Sequence, residues 1–229
     1  MSTLYHSPLC PLSRFVRLVL AEWDIECELV EERAWERRSG FLAVNPAGAL
    51  PMLEEDGLAV PGAGVIVSYL EETRGQALDA PNLMPEAPSR RVEVRRLLDW
   101  FNHKFYEEVS APLTLEKVSK RFMDSASGGG SPDMASMRAA RNNIRYHLAY
   151  IGWLIGRHHW LAGDRITYAD LAAAAHLSVC DYLGDVPWDE DETAKLWYAR
   201  IKSRPSFRLL LGERLMGVPP PVHYADLDF

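Results

Sequence analysis

The period of the apolar positions changes within the first twenty residues, from the alternation of a strand to the three-and-four spacing of a helix. Leu4-Tyr5-His6 reads as a short extended run, and Ser7-Pro8 and Cys10-Pro11 hold off a helix until Pro11, whose fixed φ suits a first helical turn. Phe15, Leu18 and Val19 then recur at helical spacing, Val16 and Leu20 widen the stripe, and Arg14 and Arg17 are left to face water. Cys27 to Glu31 alternates again, which predicts a second strand parallel to the first through a right-handed crossover. Arg33 to Leu42 fits a helix or an irregular arm whose large apolar residues are Trp35 and Phe41. Trp35 is either packed, on the sheet or on a second copy, or an exposed anchor for a partner. Asn45 to Leu53 followed by EEDGLAV predicts a hairpin turning at Asp56-Gly57; its first strand begins at Pro51, where an edge-like start or a cis peptide is expected. A helix from about Gly62 to Thr73 completes the set.

Gly75, Pro81, Pro85 and Pro88 mark a linker, and the domain boundary is placed near residue 80. Beyond it the pattern is helical. Val92, Leu97, Leu98, Trp100, Phe101, Phe105 and Tyr106 trace a helix to about Ser110, which Pro112 kinks or ends, and Leu113 to Met123 continues as helix. SASGGGSPD is a loop, and the helix restarts near Pro132-Asp133. Ile144, Leu148, Ile151, Leu154 and Ile155 give the helix from Met137 to Arg157 a core face. In WLAGDRITYADLAAAAHL, Thr167 and Asp170 form a variant capping box ahead of a helix of small residues. Leu196 to Ile201 fits a further helix, and Ser206 to Met216 the last. The three prolines after Gly217 keep PPPVHYADLDF out of that helix, so this tail is either packed back on the helical domain or presented as a linear recognition segment.

A net charge of -7 and a pI near 5.5 argue against a general binder of nucleic acid or anionic membranes. No leader-like start and no bilayer-length apolar run is evident, so a cytoplasmic location without membrane insertion is expected. Cys10, Cys27 and Cys180 are an odd number without metal-ligand spacing, which predicts neither a disulfide framework nor a zinc site. His147, His158 and His159 lack partners at ligand spacing and are assigned surface or capping roles rather than a metal.

Candidate chemistry centres on Cys10. Its place at a helix N-terminus, among free backbone N–H groups, favours a thiolate and hence a mixed disulfide with a small thiol. With no second Cys nearby, CxxC cycling is excluded, and Ser7 or Ser13 can instead serve only as a cap.

The strand, turn and Cys-Pro helix resemble thioredoxin-like folds, and NPAGALPML together with WLAGDRITYADLAAAAHL resembles the glutathione transferase superfamily over nearly the entire chain. That resemblance implies an α/β N-terminal thioredoxin-like domain (1–80) and an all-α C-terminal domain (81–216), the glutathione transferase fold, followed by an extended Pro-rich, acidic tail (217–229). It casts Cys10 and Ser13 as candidate catalytic residues and Leu50-Pro51 as the cis-proline pair that faces the cysteinyl part of glutathione. Ala49 stands where many members carry a lysine. In the superfamily the next helix opens with Glu-Ser, which binds the γ-glutamyl carboxylate; here Ile66, Tyr69 and Leu70 keep the frame and put Gly62 and Ala63 at those two positions. Losing two or three charge-assisted contacts of about 1.5–3 kcal/mol each implies at least a roughly hundredfold weaker affinity. The depleted site, with VPGAGVI and HYADLDF, resembles the FtsZ-binding cell-division branch of the superfamily in alphaproteobacteria. This implies a non-catalytic homodimer without a cofactor that binds and shapes FtsZ filaments, with other division proteins as further partners, and that is recruited to the division site. Trp35, Tyr224, Asp226, Leu227, Asp228 and Phe229 are the candidate partner-binding residues. The alternative is a glutathione-dependent transferase or thiol transferase that uses Cys10.

Overall fold

A computed structural model describes residues 2–75 and 82–227 of the 229-residue chain. Its contacts divide the chain into one unit of residues 1–81 and another of residues 82–229.

In the first unit, β1 (Ser2–His6), β2 (Glu28–Glu31), β3 (Met52–Glu55) and β4 (Leu58–Pro61) form one sheet in the order β2-β1-β3-β4. β1 runs parallel to β2 and antiparallel to β3, with Leu4 opposite Leu29 on one side and Leu53 on the other. Helix α1 (Pro11–Glu22) supplies the crossover between β1 and β2, and α3 (Ala63–Arg74) follows the hairpin. Leu4, Val16, Leu18, Val19, Leu53, Ile66 and Leu70 are buried completely, as the apolar stripes predict. Asp56 and Gly57 both take positive φ at the hairpin turn, the conformation that Asp-Gly permits at little cost.

One expectation for this unit fails. Arg14 and Arg17 do not face water: both are buried, and Arg14 Nε donates 2.7 Å to Pro8 O. A guanidinium four residues into the helix spans back to the preceding turn and satisfies a carbonyl that Pro8 would otherwise leave open. The Arg33–Leu42 stretch divides into a 3₁₀ turn (Ala34–Glu36) and a separate helix α2 (Ser39–Val44). Arg37, in the left-handed region at φ 45°, ends the first piece and prevents a single helix.

The second unit is helical. A helical run extends unbroken from 88 to 122 through α4 (Pro88–Asp99), a wide π-helical stretch (Trp100–Ser110), α5 (Ala111–Thr114), a second π stretch (Leu115–Ser119) and α6 (Lys120–Phe122). Pro112 does not end it. The carbonyl that α-helical geometry would pair with the missing Pro112 N–H is Glu108 O, and Asn143 Nδ2 donates to it at 3.2 Å. Helix α7 (Met134–Ile155) is capped by Asp133, which accepts from Ala135 and Ser136 N–H. Helix α8 (Tyr168–Tyr182) is buried along its whole length, with the π stretch and α4 among its neighbours. Helix α9 (Glu192–Lys202) packs against α7 and α8.

The last helix is shorter than the sequence pattern predicts. A 3₁₀ turn (Pro205–Phe207) leads into α10 (Arg208–Leu211), which stops there, and Leu215 and Val218 form a β-bridge instead. Tyr182 is the cause on the core side: its hydroxyl accepts from Leu215 N–H and donates to Val218 O, both at 2.8 Å. The chain then turns back over the helices in a 3₁₀ turn (Val222–Ala225).

Candidate functional site

The turn from Ser7 to Cys10 is held from three directions. Cys10 N–H donates to Ser7 O at 3.0 Å, Arg14 Nε reaches Pro8 O, and Ser13 Oγ accepts from Ser7 N–H at 3.4 Å. Cys10 is the residue ahead of α1, but no side chain caps that helix, and Ser13 is fully buried three residues on. The thiol does not behave as helix-terminus arguments alone predict. Burial pushes its pKa up from 9.0, and hydrogen bonds from Ser13 and the Leu12 backbone, with the Arg14 charge, offset this only in part. At half-buried Cys10, desolvation thus favours the thiol over the thiolate more than the helix terminus favours ionisation.

Across the sheet the Leu50-Pro51 peptide is cis, and Pro51 O accepts from Gly62 N–H at 2.9 Å, tying the proline to the entry of α3. Asn45, almost fully buried, donates from Nδ2 to Ala49 O at 2.7 Å and fixes the loop that leads there. Gly62 takes φ 89°, and no side chain caps α3. Nothing lies within 4 Å of where a Cβ on Gly62 or Gly64 would stand. The N-terminus of α3 thus opens onto space with its backbone donors but without a carboxylate or hydroxyl at positions 62 and 63.

At the far end of the hairpin, Glu55 accepts from Ser2 and Arg74 and, at 2.7 Å, from Tyr69 Oη. These donors hold its carboxyl at about 2 despite burial. The cluster ties β1, β3 and α3 together and is structural. Cys27, next to it, is pushed up to about 11, mainly by burial.

The partner candidates are dispersed. Trp35 is half-buried in the 3₁₀ turn. Tyr224 is fully buried: its hydroxyl donates to Leu210 O at 3.1 Å and its ring meets Tyr182 edge-on at 5.1 Å. It is an anchor within this chain and offers no surface in this conformation, so of the two readings of the tail, packing describes Tyr224. Asp226 and Leu227 are exposed beyond it, and Asp228 and Phe229 lie outside the described residues. Lys202, on α9 and fully buried, sits 3.6 Å from the buried Asp181 and donates to His223 O at 3.4 Å, which clasps the same segment.

His147 corrects another expectation. It is neither surface nor cap but completely buried on α7, where Trp100 Nε1 and Glu108 meet its two ring nitrogens. Sequence spacing missed it because both partners come from another helix. No group of three or more His, Cys, Asp or Glu among the described residues could hold a metal, and no described helix is long and apolar enough to cross a membrane.

The family models for the glutathione S-transferase N-terminal domain and C-terminal domain match residues 4–78 and 122–205. FtsZ-localized protein A of Caulobacter vibrioides is 44% identical over 231 residues, covering 99% of this chain and 98% of that protein. The chain belongs to the glutathione S-transferase family. Its thioredoxin-like N-terminal unit and helical C-terminal unit are that family's fold. Among solved structures, a glutathione S-transferase from Sinorhizobium meliloti 1021 matches at TM-score 0.97 and 52% identity, with all of both chains covered. FzlA from C. crescentus matches at TM-score 0.91 and 44% identity, covering 100% of this chain and 99% of that one.

Proposed function

We propose that this member of the family is a non-catalytic cell-division protein that binds FtsZ filaments as a homodimer, in the cytoplasm at the division site, and that its glutathione site is weak or lost. Full-length similarity to a protein named for its localization with FtsZ carries the reading. The site supports it. A γ-glutamyl carboxylate at the start of α3 would meet backbone donors only, since Gly62 and Ala63 offer no polar side-chain atom. Two identical binding faces in a homodimer would let the protein bridge or bend a filament. Trp35, Asp226 and Leu227 are the surface candidates among the described residues, with Asp228 and Phe229 beyond them.

The second reading, a thiol transferase acting through Cys10, rests on the Cys10 turn and the cis Leu50-Pro51 peptide, and on a similar structure described as a glutathione S-transferase. The upward shift of the Cys10 thiol weighs against it, because the thiolate is the nucleophile.

The test is co-sedimentation with polymerised FtsZ alongside calorimetric titration of glutathione. Co-pelleting with no glutathione heat below millimolar concentrations is the expected result. Low-micromolar glutathione binding with no protein in the pellet would overturn the proposal in favour of the Cys10 transferase.

A further inference from the structure

The π-helical stretch Trp100–Ser110 is braced by two buried histidines, each reaching it at positions eight residues apart. His147, from α7, lies 3.1 Å from Trp100 Nε1 through Nδ1 and 3.0 Å from Glu108 Oε2 through Nε2. His176, from α8, lies 2.8 Å from Ser110 Oγ through Nδ1 and 3.2 Å from Asn102 Oδ1 through Nε2. The Phe105 ring stands between them, 4.7 Å from one imidazole and 5.6 Å from the other. A wide helix advances less per residue than an α-helix, which brings residues i and i+8 within the span of a single ring; local π segments frequently mark functional sites.

The partners define the protonation state of both rings. Indole Nε1–H is only a donor, so His147 Nδ1 must accept from Trp100, and Nε2–H then donates to Glu108. A second proton on His147 would set N–H against N–H and break the Trp100 contact. The groups that face His147 are Glu108 and Lys104 from the π stretch, His176 from α8, and Trp100, Phe105 and Tyr146 through their rings. Glu108 also pairs with Lys104, which divides its attraction for a protonated imidazole.

We infer that His147 makes the register of the π stretch sensitive to acid: the neutral ring locks Trp100 and Glu108 together, and protonation releases Trp100 and lets the segment relax. The output is on the surface. Trp100 lies tilted against Tyr150 at 4.5 Å, Tyr150 stacks on the exposed Trp153 at 6.0 Å, and Tyr146 lies 6.3 Å from Trp100, with Lys104, Arg96 and Arg157 placed over three of these rings. Releasing Trp100 therefore rearranges an aromatic, cationic face of the helical unit.

Burial lowers the His147 pKa in the braced state below 6.5, although Glu108 pulls the other way. The released state binds the proton more readily, so the braced state is favoured above about pH 6.5 and loses ground as pH falls through that value. His176 is held at about 3 by burial and stays neutral throughout, a built-in reference.

Hydrogen exchange on the full-length protein at pH 7.5 and pH 5.0, corrected for intrinsic rates, tests this. Amides of 100–110 are expected to lose protection by up to about thirtyfold, the most that a pKa near 6.5 in the released state allows, while central α8 amides hold theirs. In His147→Gln, whose amide can accept from Trp100 and donate to Glu108 without titrating, protection in 100–110 should not change with pH. An equal loss in His147→Gln, or none in the wild type, overturns the inference. A nitrogen-15 NMR titration of wild-type histidines gives the same decision without a variant. His147 should pass from the Nε2–H neutral form to the cation as the Trp100 indole N–H signal shifts, and a ring that stays neutral to pH 5.0, or charges without moving that signal, refutes the switch.

Discussion

Two helix N-termini in this protein have opposite fates. At α8, the Asp170 carboxylate is completely buried and takes four donors: Leu161 N–H, Thr167 N–H, Thr167 Oγ1 and Trp197 Nε1, at 2.9 to 3.1 Å. At α3, where a family member would hold its ligand, Gly62 and Ala63 bring no polar side-chain atom and no cap. One terminus is closed by side chains of this chain, and the other offers only backbone donors at positions 62 and 63. A buried cap that lost its partners would destabilise the domain, whereas a missing ligand contact need not affect the folded protein.

The comparison breaks most visibly if Asp170 proves dispensable. Asp170→Ala leaves at least three buried donors without acceptors, and a loss of about 3 kcal/mol or more is expected in chemical denaturation; a loss below about 1 kcal/mol would mean that water replaces the carboxylate. Tyr224→Ala should cost about 3 kcal/mol by opening a cavity against Tyr182 and freeing Leu210 O. Unchanged denaturation of that variant would show a tail that is not packed in solution. Asn143→Ala should cost about 1 kcal/mol by stranding Glu108 O beside Pro112, visible as a small drop in Tm.

The ligand side gives smaller effects. Because burial raises the Cys10 thiol, the thiolate is scarce at neutral pH and grows only as pH rises past 9; alkylation by iodoacetamide should be slower than for a free cysteine at pH 7.5 and climb steeply in alkali. A plateau already reached near pH 7 would mark an activated thiol and revive the transferase reading. Ala63→Ser, which restores one hydroxyl at α3, should tighten glutathione by no more than about tenfold, equivalent to ~1.4 kcal/mol. A gain of several hundredfold by calorimetry would mean that the rest of the glutathione site is intact.

Elements with strong local patterns were readable in advance. The period change at Pro11 marks α1, Asp56-Gly57 marks the hairpin, Thr167 with Asp170 marks the start of α8, and Pro132-Asp133 marks the restart at α7. The absence of polar side chains at Gly62 and Ala63 is likewise visible from residue types alone, since no folding can add a carboxylate. All of these depend on residues within a few positions of one another, where propensity, capping and turn geometry act.

Other features required the three-dimensional arrangement because their partners are distant in sequence. Arg14 reads as a surface residue until the preceding turn folds back over it, and the helix expected to reach Met216 stops at Leu211 because Tyr182, some thirty residues earlier, claims the backbone at Leu215 and Val218. His147 acquires its neighbours from a helix forty residues away, and Pro112 is tolerated because Asn143 covers a carbonyl beside it. The Cys10 thiol is the clearest case. Its position at a helix terminus is a local fact that favours ionisation, but the burial that opposes ionisation is a property of the packed unit, and burial wins. Sequence determined which groups this protein possesses and where its regular elements begin; desolvation and long-range hydrogen bonds, which exist only after packing, decided what those groups can do.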